Sequence, residues 1–154
     1  MTYKPDFIWH NFDSITKDQL YDALSLRQKV FIIEQDCFYE DLDYSDKNAH
    51  HLLLYYHDKL IGYSRVFPPG VKYQTASIGR IVIEFNFRGK GYGKMITLES
   101  IDFIRKNFLN SNISISAQFR LIGFYEDLGF QKEGEVYLED GIDHIKMVLY
   151  LNKY

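Results

Sequence analysis

The stretch Arg88-Gly89-Lys90-Gly91-Tyr92-Gly93 constrains this chain more than any other. Ahead of it runs Ser77-Ile78-Gly79-Arg80-Ile81-Val82-Ile83, apolar and rich in β-branched residues, which predicts a buried strand. Behind it, Met95, Leu98, Ile101, Ile104 and Phe108 recur at helical spacing. A glycine-rich turn between strand and helix offers free backbone N–H groups at a helix N-terminus. There the helix dipole and the unpaired donors together attract phosphate oxygens. Glycine suits the turn because it tolerates φ > 0, and because a side chain would hold the phosphates away from the backbone.

The turn is not Gly-x-Gly-x-x-Gly, and no acidic residue stands about 20 residues later to hold a ribose, so a dinucleotide fold fits poorly. No Gly-Lys-Ser/Thr closes it, so it is not a Walker loop. The spacing Arg88-x-x-Gly91-x-Gly93, entered from a strand and opening a helix, resembles the acetyl-CoA pyrophosphate loop of the GNAT superfamily of N-acetyltransferases. The ordinary alternative is a glycine-rich turn with no ligand, and the downstream half argues against it. GNAT proteins follow the loop helix with a short strand, a helix and a Tyr-x-x-x-Gly-Phe ending. Ile113 to Ala117 reads as that strand, Phe119 to Leu128 as that helix, and Tyr125-Glu126-Asp127-Leu128-Gly129-Phe130 as that ending.

A narrower resemblance, to the ElaA-like GNAT proteins, spans Leu26 to Met147. It rests on Leu26-Arg27, Val30-Phe31, Glu34-Gln35, Cys37, Tyr39, Asp41, Asp43, His51-Leu52, Gly79-Arg80, Ala117-Gln118 and Glu139-Asp140-Gly141-Ile142-Asp143-His144-Ile145. Asp143 departs from the group, which carries proline before the histidine, and is expected to loosen or re-shape that turn. The resemblance implies the GNAT fold and use of acetyl-CoA, and leaves the acceptor open.

At 154 residues the chain is expected to form one domain, 1–154. A formal charge of -3 and a pI near 5.9 give no electrostatic case for nucleic acid. One cysteine excludes an internal disulfide. No apolar run approaches the ~18–20 residues that span a bilayer, and no signal-peptide pattern opens the chain, so a cytoplasmic protein is expected. The aromatic share of 17% is read as a tyrosine-rich sheet rather than a nucleic-acid stacking surface.

Element signals run in the order β-α-β-β-β-α-β-α-β-β. Phe7 to Phe12 reads as a strand, and Thr16-x-x-Gln19 as a capping box on a helix reaching about Ile33. A hairpin of Ala49–His57 and Leu60–Phe67 comes next, and the chain ends with strands at Phe130–Leu138 and Ile142–Leu151. This order fits an α/β (α+β) GNAT fold: a central mixed, splayed sheet of about seven strands, with helices on both faces.

The resemblance also implies a site. Acetyl-CoA lies where the strands before and after the glycine loop part, its pantetheine arm pairing with the backbone of Ile81, Val82 and Ile83. The N–H of Val82 is the expected donor to the thioester oxygen. Arg88, Gly89, Lys90, Gly91, Tyr92, Gly93 and Lys94 hold the pyrophosphate, while Gln118 and Phe124 line the same cofactor side. Tyr125 points at the sulfur and protonates the departing thiolate, since a phenol with a pKa of about 10 is neutral at physiological pH. Arg80 is expected to pair with an acidic neighbour.

The base is less determined. The glutamate that histone-acetylating GNAT enzymes carry on the central strand is replaced here by Ser77. Glu34, Asp41, Asp43 and His144 are candidates, with His144 suited by its intrinsic pKa of about 6.5, and a water chain stands beside them. The acidic run from Glu34 to Asp46 reads as a solvated loop, or else as a mouth attracting a cationic amine. His50 and His51 point to opposite strand faces and form no metal site. Acids flank Cys37 and disfavour its thiolate, so direct transfer is expected rather than an acyl-cysteine. The expected activity is therefore acetyl-CoA-dependent N-acetylation of a primary amine, without metal. The alternative is a non-catalytic acyl-CoA-binding module. Dimerisation through the last strands is common in the family.

Overall fold

The computed structural model describes residues 3–151, so both ends of the expected 1–154 domain lie outside the described residues. The strands are β1 (Asp6–Asn11), β2 (His50–Tyr56), β3 (Lys59–Phe67), β4 (Ala76–Ile83), β5 (Ile113–Gln118), β6 (Gln131–Glu139) and β7 (Ile142–Leu149). They form one sheet in the order β1-β2-β3-β4-β5-β7-β6. Among the described residues only the β4–β5 pair is parallel. The helices are α1 (Lys17–Arg27), α2 (Tyr92–Asn107) and α3 (Ile122–Asp127). Element order and sheet type are those expected from the sequence.

Period-two alternation explains why helices cover both faces. Leu53, Tyr63 and Val82 turn toward Ala23 and Leu26 of α1. Their neighbours Leu52, Leu54, Ile61 and Ile83 turn the other way, onto Ile96 of α2. Ile113, Ile115 and Met147 continue that second layer under Ile101 and Ile104, joined by Tyr125 and Phe130 from the α3 region.

The capping box forms: Thr16 Oγ1 accepts from the Gln19 N–H at 3.1 Å, and the Thr16 N–H donates to Gln19 Oε1 at 3.0 Å. The helix behind it does not stay an α-helix to Ile33. Gln28–Glu34 is π-helical, with the wider i→i+5 spacing seen in Gln35 N–H to Val30 O at 3.1 Å and Cys37 N–H to Ile32 O at 3.0 Å.

The acidic segment is not a solvated loop. Arg27, with no exposed surface, donates from Nε to Asp41 at 2.9 Å and from Nη1 to Asp46 at 2.8 Å. Arg65 donates from Nη1 to Asp43 at 3.0 Å and to Asp46 at 2.9 Å. Arg80 reaches Asp41 from its Nε at 2.7 Å, the acidic pairing expected of it. Three arginines thus neutralise Asp41, Asp43 and Asp46, which cannot act as an attracting mouth; Asp36 and Glu40 stay exposed. His51 is locked in the same cluster, between the Tyr63 hydroxyl at 2.6 Å and the Asp46 carbonyl at 2.9 Å.

Strand β4 is irregular on both of its edges. Its ladder with β5 holds only Ala76 opposite Ile113 and Ser77 opposite Ser114, after which the strands part. On its other side the register against β3 slips between Tyr63 and Arg65, where Arg80 takes φ +52. Such a backbone costs a non-glycine residue about 1–2 kcal/mol. The Arg80–Asp41 ion pair, in which the aspartate is nearly shut from solvent, holds it in place.

Candidate active site

The splay of β4 from β5 opens a cleft of about 980 Å³. Its floor is the unpaired edge of β4. The Glu84 N–H donates across to Ile61 O on β3 at 2.8 Å. Strand alternation then turns Val82, two residues back, to the same β3 side. Ile81 and Ile83 therefore present their backbone groups to the cleft. Arg88 Nε confirms the parity by reaching Ile83 O at 3.0 Å. The Val82 N–H is thus committed to the sheet, which corrects the expectation that it is open to meet the thioester oxygen; the Ile81 N–H is the one that faces the cleft.

At one end of that edge stands the glycine loop. Gly89 and Gly91 take φ +74 and φ +85, and a Cβ at either would meet nothing within 4 Å, so backbone conformation rather than space demands glycine. Gly91 is the N-cap of α2, with no side-chain cap and no acid in the first turn. The N–H groups of Tyr92, Gly93 and Lys94 are left for a ligand. Lys90 and Lys94 are exposed beside them. The Arg88 guanidinium is otherwise occupied, donating to Glu34 Oε2 at 2.8 Å as well as to Ile83 O. Glu34 is correspondingly spent on Arg88 at the loop end and is no free base.

Tyr125 lines the cleft between Phe124 and Phe130, edge-on to both at centroid distances of 5.1 and 5.7 Å. Burial pushes its hydroxyl up to about 12. Gln118, at the end of β5, donates to Gln35 Oε1 at 3.3 Å and accepts from Arg120 Nε at 3.0 Å. Beside that contact, the Cys37 thiol donates to the Asp140 carbonyl at 3.1 Å. Residues 35–37 therefore tie the end of the π-helical turn to β5 and to the β6–β7 turn, across the cleft. Ser77 is buried in the last rung, with no carboxylate in its place.

His144 stands on the far wall. Its Nδ1 lies 2.7 Å from Ile142 O, which makes Nδ1 the donor, and its Nε2 lies 3.2 Å from Glu139 Oε2. The Tyr137 ring stacks on it at 6.2 Å, and Ser116 Oγ bonds both Tyr137 and Glu139. Glu139 stands in the motif run that carries the resemblance, but neither it nor Tyr137 nor Ser116 is among the site residues expected from the sequence. The signal was there: Asp140-Gly141 closes a two-residue hairpin, with φ +50 and +77, which fixes Glu139 opposite Ile142 and Tyr137 opposite His144. Asp143 keeps its rung opposite Leu138, so the turn is not loosened. Among the described residues no cluster of three or more His, Cys, Asp or Glu side chains could hold a metal ion. No described helix is long and apolar enough to cross a membrane.

A family model described as an acetyltransferase (GNAT) domain matches residues 13–151. A UPF0039 protein of Synechocystis sp. is 37% identical over 141 residues, 91% of this chain and 92% of that protein. Protein ElaA of Escherichia coli is 33% identical over 135 residues, 86% of this chain and 88% of its own length. Its crystal structure superposes with a TM-score of 0.89 at 29% identity, covering 95% of this chain and 99% of ElaA. An acyl-CoA N-acyltransferase from Pseudomonas aeruginosa gives a TM-score of 0.91 at 32% identity, with 95% and 99% covered. The cleft, its glycine loop and these likenesses agree: the chain belongs to the GNAT acetyltransferase family, in its ElaA-like group, as an acyl-CoA-dependent acyltransferase.

Proposed function

We propose that the chain, acting as one domain, transfers acetyl from acetyl-CoA directly to a primary amine. The observation that carries this reading is the short β4–β5 ladder, which leaves an open backbone edge running from the glycine loop toward Tyr125 and His144. The pantetheine arm adds to that edge as an extra strand, through Ile81 and Ile83. The pyrophosphate rests on the first N–H groups of α2, beside Lys90 and Lys94.

The amine attacks the thioester carbon, and negative charge gathers on the carbonyl oxygen. The Ile81 N–H meets that charge; a fixed donor of this kind is worth about 3–4 kcal/mol. The C–S bond then breaks, and the Tyr125 hydroxyl donates its hydrogen to the leaving sulfur. His144 takes the proton that the ammonium must lose before it can attack. Cys37 is no way station, because its buried thiol is engaged with the Asp140 carbonyl.

Ser77, where no carboxylate stands, favours a second reading as a non-catalytic acyl-CoA-binding module. Calorimetric titration with acetyl-CoA and longer acyl-CoAs, then thiol release across an amine panel, separates the two. Binding with turnover on an amine supports the transferase. Binding with no thiol released over water supports the module, and no binding refutes both.

A further inference from the structure

We propose that Glu139 and His144 together form the base of this site, supplying from the β6–β7 hairpin the carboxylate that Ser77 lacks on β4. The inference rests on the transferase reading and gives the acceptor end its chemistry.

Proton counting at the pair shows a place for one more proton. Nδ1 of His144 donates to Ile142 O, so in the neutral ring Nε2 carries only a lone pair. That lone pair faces Glu139 Oε2 at 3.2 Å, itself an acceptor when ionised. Two acceptors at hydrogen-bond distance either share a proton, as an imidazolium–carboxylate pair, or meet an N–H donor beside them. The same carboxylate oxygen already accepts from Ser116 Oγ at 3.2 Å, which fixes its orientation toward β5. Both Glu139 and His144 line the cleft. A protonated primary amine fits this end of the cleft, because its N–H groups complete both acceptors at once.

The surroundings leave the pair to that task. Tyr137, stacked on the His144 ring, is tied to Ser116. Tyr73 faces the pair from the segment between β3 and β4, with its hydroxyl pushed up by burial and by the nearby Tyr137 and Glu139. Lys146 on β7 is drawn off to Glu133 at 3.2 Å and to the Tyr73 ring. Asp140 succeeds Glu139 in the turn and is exposed. Glu139 itself has a half-exposed side chain, whereas His144 is almost fully covered, so the carboxylate is the route to solvent.

One ammonium proton passes to His144 Nε2, giving an imidazolium held against the Glu139 carboxylate. The free amine forms the new C–N bond, and the C–S bond breaks. The nitrogen's surplus proton reaches the sulfur by way of the Tyr125 hydroxyl, which regains a proton as it gives one. The imidazolium proton leaves past Glu139 to water, and amide, CoA thiol and one proton are the products.

The test is a cycle of Glu139→Gln, His144→Gln and the double variant, with Glu139→Asp as the conservative control. Each single change to Gln is expected to lower kcat about 100-fold with acetyl-CoA affinity unchanged, and the double variant to be no slower than the worse single. Glu139→Asp is expected to recover part of the loss. A wild-type kcat in Glu139→Gln, a change in KM alone, or losses that multiply in the double variant would overturn the pairing. The nitrogen NMR spectrum of His144 in the ligand-free protein supplies a readout that needs no acceptor. An Nε2 signal unmoved by Glu139→Gln also overturns the proposal, while failure of the wild type to bind acetyl-CoA strikes the underlying transferase reading instead.

Discussion

Tyr125 keeps its proton throughout the physiological range, because burial alone holds its hydroxyl near 12. It can hand a hydrogen to the leaving sulfur while taking one from the nitrogen, without ever standing as a free phenolate. Tyr125→Phe is expected to lower kcat about 100-fold and leave acetyl-CoA affinity within a factor of two; calorimetry beside steady-state rates checks both. Gly91 works differently. Gly91→Ala puts a methyl group into open space, so its whole cost is the φ of +85, about 1–2 kcal/mol. If the loop relaxes to escape that strain, acetyl-CoA binding weakens about tenfold, readable by titration. At this scale the sequence disclosed types and motifs but not parity. Val82 and Ile81 look alike in the run of β-branched residues, and it takes the Glu84–Ile61 and Arg88–Ile83 hydrogen bonds to show which of them faces the cleft.

Elements were legible where a period or a turn residue announced them. The strands, α2 and the capped start of α1 fall within a few residues of their expected positions. The π-helical turn was not, since its apolar residues suit an α-helix equally well. The acidic segment misleads for a related reason: its partners Arg27, Arg65 and Arg80 sit on other elements, 14 to 39 residues away. Asp46 is the joint between Arg27 and Arg65, and Asp46→Ala leaves a fully buried guanidinium short of charge. A loss of about 3 kcal/mol is expected, or roughly 6–12 °C in Tm by thermal denaturation. Burial pushes the carboxyls of Asp43 and Asp46 up, but the bonds and charge of their arginines outweigh it and hold both below the ordinary 3.8. Their stabilisation is complete above about pH 5 and drains as pH falls through 4 toward those depressed values. Denaturation at pH 6 and pH 3 is expected to show wild type losing more over that drop than Asp46→Ala does.

On the scale of the molecule, the sheet is two blocks, β1–β4 and β5–β7, sharing only two rungs. The Cys37–Asp140 and Gln35–Gln118 bonds cross the same divide above the cleft. A ligand that pairs with β4 across this gap binds the folded state alone. At 100 times its Kd, acetyl-CoA is expected to add about 2.7 kcal/mol and raise Tm by about 5–10 °C, measurable by calorimetry at several concentrations. The general architecture was readable from motif order, because a strand–glycine loop–helix unit and a Tyr-x-x-x-Gly-Phe ending leave few ways to complete a sheet. How far β4 and β5 stay joined left no trace in composition or spacing.

The open β4 edge also matters to a newly made chain. Unpaired strand backbone beside isoleucine side chains is a template on which any extended polypeptide can build. An acyl-CoA bound there, as proposed above, would cap that edge and so act as a chaperone. A cell starved of acyl-CoA is therefore expected to lose the protein to aggregates, and not merely to leave the enzyme idle.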